Sequence, residues 1–196
     1  MGLSYKKHIR KVITDVHPDL ELDEEAANEC DLLVQYLAKR IIAEADKITS
    51  MSGLQTIKTG AIQTAVTTTL RGELRRLSSK EGTDAVIRYT GKDKSRSPIF
   101  PVRLTSTLIK QYVKAQRVSM TAAVYLAVVL EYLTAEILSL AGLITSKDKR
   151  TVMNTRDIKL AINDDEELLG LFHRVTLSGG VQPYIHTVLY PRGYEI

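Results

Sequence analysis

The chain has 196 residues, 44% apolar and 26% charged, a balance near the average for folded proteins; with no Trp and 6% aromatics it favours helix over sheet. The formal charge is +4, with 16 Lys/Arg against 14 Asp/Glu in residues 1–96 and 11 against 9 in residues 97–196, which permits a polyanionic partner without demanding one. The one cysteine, Cys30, excludes an intrachain disulfide and suits a reducing compartment.

In chain order, Ile9, Val12, Ile13 and Val16 make an apolar stripe at helical spacing, and His17-Pro18-Asp19 ends it, because the residue before proline is pushed out of the helical region. Asp23, Glu24 and Glu25 mark the next helix start, since carboxylates suit the positive end of the dipole. Ala26, Cys30, Leu33, Leu37, Ile41, Ala45 and Ile48 then line one long helix, closed by a predicted loop over Ser50–Gly53. Thr59 is the predicted N-cap of a short helix carrying Ile62, Ala65, Val66 and Leu70. Gly72 breaks it, and Glu73–Tyr89 reads as one more helix. Gly91–Pro98 is polar and turn-rich, a predicted flexible tether.

The second half repeats the plan. A short helix is predicted over Val102–Tyr112, a long one over Thr121–Thr145, a polar loop over Lys147–Asn154, a short helix capped by Thr155, and a last one from Asp164–Glu167. Residues support the repeat: Thr56-Ile57, Thr59, Ile62, Ala65 and Val66 match Thr151-Val152, Thr155, Ile158, Ala161 and Ile162, and Ala43-Glu44 matches Ala135-Glu136. Ala122–Leu130 is apolar on every face, so the second long helix must be covered all round, most simply by crossing its counterpart. That run is closed by Glu131, too short to span a bilayer, and Met1–Arg10 lacks the apolar centre of a signal peptide.

Chemistry-bearing motifs are sparse. His8, His17, His173 and His186 share no metal-ligand spacing, and no nucleophile motif or phosphate-binding glycine loop is present, so an enzyme is not expected and no cofactor is called for. Cys30 sits on the apolar stripe and reads as a small core residue. Taken alone, Asp164–Glu167 reads as N-terminal charging of a helix, and a scattered Lys or Arg as a solvated face.

Longer blocks carry a family resemblance. Val16-His17-Pro18-Asp19, Ile62-Gln63-Thr64-Ala65-Val66, Gly72-Glu73-Leu74 and Glu81-Gly82-Thr83 resemble histone two-B, in the same order. Phe100-Pro101-Val102, Ala123–Ala127, Val129–Leu138, Asp165-Glu166-Glu167-Leu168 and Gly179-Gly180-Val181 resemble histone two-A. The whole therefore resembles a histone doublet of the kind found in certain giant DNA viruses (Marseilleviridae-like). The resemblance implies an all-α chain of two tandem histone folds that form an intramolecular handshake heterodimer. Residues 1–90 would be the two-B-like fold with its C-terminal helix, 91–98 the linker, and 99–196 the two-A-like fold with a docking tail.

The resemblance also implies what this chain binds: double-stranded DNA through its phosphates, and a histone three/four-type doublet or dimer, with no membrane and no small-molecule substrate. The expected DNA-facing residues are Lys6, Lys7, Arg10, Lys11, Thr56, Lys58, Arg103, Lys110, Arg117, Arg150 and Thr151. An acidic patch for docking proteins would comprise Glu73, Glu81, Glu131, Glu136, Asp164, Asp165, Glu166 and Glu167, with Ser139 where a glutamate is expected. Gly179, Gly180, Val181, Pro183 and Val188 would dock on the histone partner. Other family features are lost. Leu54 and Val152 stand where loop arginines enter the minor groove, Asp23-Glu24-Glu25 replaces a Ser-Ser-Lys-like stretch, and Leu104 replaces an arginine. The losses imply a nucleosome-like particle that comes apart at lower salt than an ordinary one. Chromatin is the implied location, in a virion or viral factory for a viral chain and otherwise a nucleus. Two alternatives stay open: a histone-fold scaffold or transcription-factor-like dimer, and a decoy that occupies the readers of another organism's acidic patch.

Overall fold

The structure is a computed structural model and describes residues 3–91, 97–114 and 117–176. The described residues form eight helices and four two-residue strands. The first unit runs α1 (Lys6–Val16), β1 (Glu21–Leu22), α2 (Glu24–Met51), β2 (Thr56–Ile57), α3 (Thr59–Thr69) and α4 (Gly72–Thr90). The second runs α5 (Val102–Tyr112), β3 (Arg117–Val118), α6 (Met120–Lys147), β4 (Val152–Met153), α7 (Thr155–Asp164) and α8 (Glu166–Phe172).

The repeat is tighter than residue matching suggested. From α5 to α7 each second-unit element begins 96 residues after its counterpart: Lys6 and Val102, Glu21 and Arg117, Glu24 and Met120, Thr56 and Val152, Thr59 and Thr155. Both long helices have 28 residues and both opening helices 11. This spacing corrects two sequence matches. Thr56-Ile57 corresponds to Val152-Met153, not Thr151-Val152, and Ala43-Glu44 does not correspond to Ala135-Glu136. Chance identity displaced both pairings; the backbone period decides the register.

Local chemistry sets the helix ends. Asp23 caps α2 by accepting from the Glu25 and Ala26 amides, and Ser119 caps α6 by accepting from Ala122. Neither threonine expected as a cap serves as one. Thr59 is the first helical residue of α3, after an uncapped Lys58, and its hydroxyl donates instead to Thr121 Oγ1 at 2.8 Å. Asn154, not Thr155, caps α7, in a box completed by Asp157. Both long helices overrun their expected ends and stop on a left-handed residue, Gly53 at φ +65° and Lys149 at φ +56°. Gly72 opens α4 at φ +53° rather than lying outside it.

Packing follows from the apolar pattern. Every residue from Ala122 to Leu130 is buried. By mean hydropathy, 1.8 over its most apolar 18 residues, α6 could cross a membrane. Here α1, α3, α4, α5 and α7 all pack on it, α4 most extensively. Gly82 lets α4 approach: a Cβ there would lie 2.8 Å from the Tyr125 ring. Leu33, Leu37 and Ile41 of α2 share one continuous core with Leu126, Leu130 and Ile137 of α6. Across the units Tyr5 stacks on Phe100 at 4.8 Å and meets Thr105 Oγ1 at 3.0 Å. Cys30 is buried, as expected, and burial pushes its thiol up to about 12.

Two parallel strand pairs close the arrangement. β1 pairs with β4, setting Glu21 against Val152, and β2 pairs with β3, setting Thr56 against Arg117. Each loop of one unit is thereby stitched to the opposite loop of the other.

Candidate nucleic-acid interface

The β2–β3 end gathers Thr56, Lys58 and Arg117 beside the first turns of α3 and α6. Lys58 and Arg117 are exposed, and among the described residues neither carries an ion pair. The Arg117 amide donates to the Gln55 carbonyl at 3.2 Å and the Ser119 amide to Ile57 at 3.0 Å, which fixes the backbone under the cations. Two helix N-termini and these two exposed cations form a surface suited to phosphate oxygens.

At the β1–β4 end three of the expected cations, Lys6, Arg10 and Arg150, are already engaged. Arg150 donates to Asp157 through two nitrogens, at 2.5 and 2.9 Å, and to Asp148 at 3.0 Å. Asp157 also accepts from Thr145 Oγ1 and the Asn154 amide, both at 3.0 Å. Burial alone would raise the Asp157 carboxyl; the Arg150 guanidinium, with the Asn154 amide and the Thr145 hydroxyl, outweighs it and holds the group below the usual aspartate value. Thr151 is exposed, and its carbonyl accepts from the Glu21 amide at 2.9 Å. On α1, Lys6 and Arg10 both contact Glu24, at 3.2 and 2.5 Å. Lys7 and Lys11 are exposed without an ion pair among the described residues, and with burial their charges depress the neighbouring His8. Arg103 and Lys110 are exposed on α5. Leu54 and Val152, expected to stand in place of family arginines, are 46% and 44% exposed.

The expected acidic patch divides into two hollows. Glu73, Glu136, Asp165, Glu166 and Glu167 surround a cavity of about 410 Å³ with Tyr132 and Leu77. Glu81 and Glu131 line a larger apolar groove of about 930 Å³ between α1, α4 and α6, and Asp164 is exposed at the end of α7. Several of these carboxylates hold backbone. Glu167 accepts from the Glu73 and Leu74 amides, both at 2.9 Å, and so caps α4; a Cβ on Gly72 would overlap its carboxylate. Glu131 accepts from the Phe100 amide at 3.0 Å, Asp165 caps α8, and Glu73 pairs with Arg76. Burial, then the Asp165 charge, raises Glu136, and burial followed by the Glu136 charge takes Tyr132 to about 12. The docking residues Gly179, Gly180, Val181, Pro183 and Val188, and residues 92–96 of the linker, lie outside the described residues.

Sequence reasoning missed the roles of Glu24, Asp157 and Glu167. Asp157 had a local signal, the Asn154-x-x-Asp157 box spacing. Glu24 and Glu167 had none, because the fold chooses their partners, and for Glu167 that partner lies 94 residues away.

Comparison with known proteins places the chain. A family model described as the core histone domain, of types two-A, two-B, three and four, matches residues 81–163. A histone two-A of Lodderomyces elongisporus, the form numbered two, is 45% identical over 116 residues, 58% of this chain and 90% of that protein. Histone two-A of Chlamydomonas reinhardtii is 49% identical over 94 residues, 47% of this chain and 73% of that protein.

Proposed function

Because the chain belongs to the core histone family, we propose that it is a histone doublet whose two units clasp as a handshake and bend DNA over their paired loops. One observation carries the reading: β2–β3 pairing brings Thr56 and Lys58 of one unit to Arg117 of the other, beside two helix N-termini. Phosphate oxygens fit that set, and no base-reading group is required. A two-B-like unit followed by a two-A-like unit calls for a histone three/four-type partner, with the tail from Gly179 onward docking there. The carboxylate hollow between α4 and α8 suits arginine anchors of other proteins. The cargo is a genome, a viral one if the doublet resemblance extends to the source.

Reconstitution tests this. The chain is assembled with a histone three/four-type partner and duplex DNA, then digested with nuclease. The expected result is a discrete protected fragment that vanishes at lower salt than the fragment from an ordinary core histone octamer. Partner binding without DNA protection would select the scaffold reading instead.

A further inference from the structure

The two ends of the clasp are not equivalent, although the backbone repeat makes them so. At the β2–β3 end, Lys58 and Arg117 are exposed and unpaired among the described residues. At the other end Lys6 and Arg10 converge on one carboxylate, Glu24, and Arg150 is held by Asp157 and Asp148. The counterpart of Glu24 in the second unit, 96 residues on, is Met120, so the fold does not require an acid there. Nor does the helix end need it for capping, since Asp23 already accepts from the Glu25 and Ala26 amides. The Glu24 side chain is 63% exposed, and those of Lys6 and Arg10 are 38% and 44% exposed. Exposed pairs of this kind are weak, so an incoming phosphate can replace the carboxylate.

Resting on the DNA-binding reading, we propose that Glu24 is an internal competitor for phosphate: it occupies Lys6 and Arg10 in the free protein and must be displaced before those two cations can hold DNA. DNA is accordingly gripped first and more firmly at the β2–β3 end, and the opposite end releases first as salt rises. Removing the carboxylate frees two cations for phosphate.

The test measures binding of the full chain to a short duplex across a salt series, comparing the wild type with Glu24→Gln and Glu25→Gln. Glu25 is exposed, lies in the same helical turn and carries no ion pair among the described residues. Its variant therefore removes the same charge and the same dipole interaction without freeing a cation. Glu24→Gln is expected to bind several-fold tighter than Glu25→Gln, with a log–log salt slope steeper by about 1–2 units, one for each freed cation that meets a phosphate. Adding Lys6→Ala and Arg10→Ala should erase that gain, while the same pair in the wild-type background costs less. Equal behaviour of the two glutamine variants overturns the proposal and leaves the function reading intact. Failure of the wild-type chain to bind duplex at any salt overturns both.

Discussion

Asp157 shows how one residue can serve fold and site together. Its carboxylate is buried, closes the capping box of α7, receives the Thr145 hydroxyl from the end of α6, and fixes Arg150. Because its folded pKa lies below the ordinary aspartate value, the ionised form stabilises the fold. That contribution is present above about pH 4 and is lost as pH falls through the depressed folded value. Asp157→Asn should therefore cost about 1–2 kcal/mol at neutral pH, from the lost charge assistance to Arg150. Chemical denaturation at a series of pH values checks the sign: the stability gap between wild type and variant should close under acid. The basic residues were legible as a set, but their engagement was not. Lys6, Arg10 and Arg150 read as free cations in the sequence, whereas the fold hands each a carboxylate.

At the scale of elements, the two long helices end alike. After α2 the Leu54 amide donates back to the Thr49 carbonyl, and after α6 the Arg150 amide donates to Thr145, both at 3.1 Å. The left-handed residue between them is Gly53 in one unit and Lys149 in the other. Only glycine enters that region without steric cost. Lys149→Gly should therefore raise stability by about 0.5–1 kcal/mol, after allowing for the greater freedom glycine gives the unfolded chain. Thermal melting would read this as a rise of roughly 1–4 °C; a fall would show that the Lys149 side chain contributes something its geometry does not reveal. Helix existence and order were legible because apolar spacing is strong in Ile9–Val16, Ala26–Ile48 and Ala122–Leu130. The ends were not, since α2 and α6 each run into a terminal turn that polar composition disguises as loop.

For the whole molecule, the decisive feature is that neither unit closes its own core. Tyr5 rests on Phe100, His17 reaches the Ser139 carbonyl at 3.1 Å, and Arg40 donates to the Leu171 carbonyl at 2.7 Å. Each of these contacts joins the two halves. The need for mutual cover could be argued from the apolar girth of α6 alone. The strand pairing that aligns the loops could not, because two-residue strands leave no pattern in a sequence. If the account is right, the halves should be incompetent apart. Producing residues 1–91 and 92–196 as separate chains and following each by amide hydrogen exchange, alone and mixed, tests this most directly. Each alone should exchange almost without protection, and mixing should restore strong protection across α2 and α6. Two halves that are each protected alone, and that ignore one another when mixed, would contradict a shared core and the DNA-facing ends built upon it.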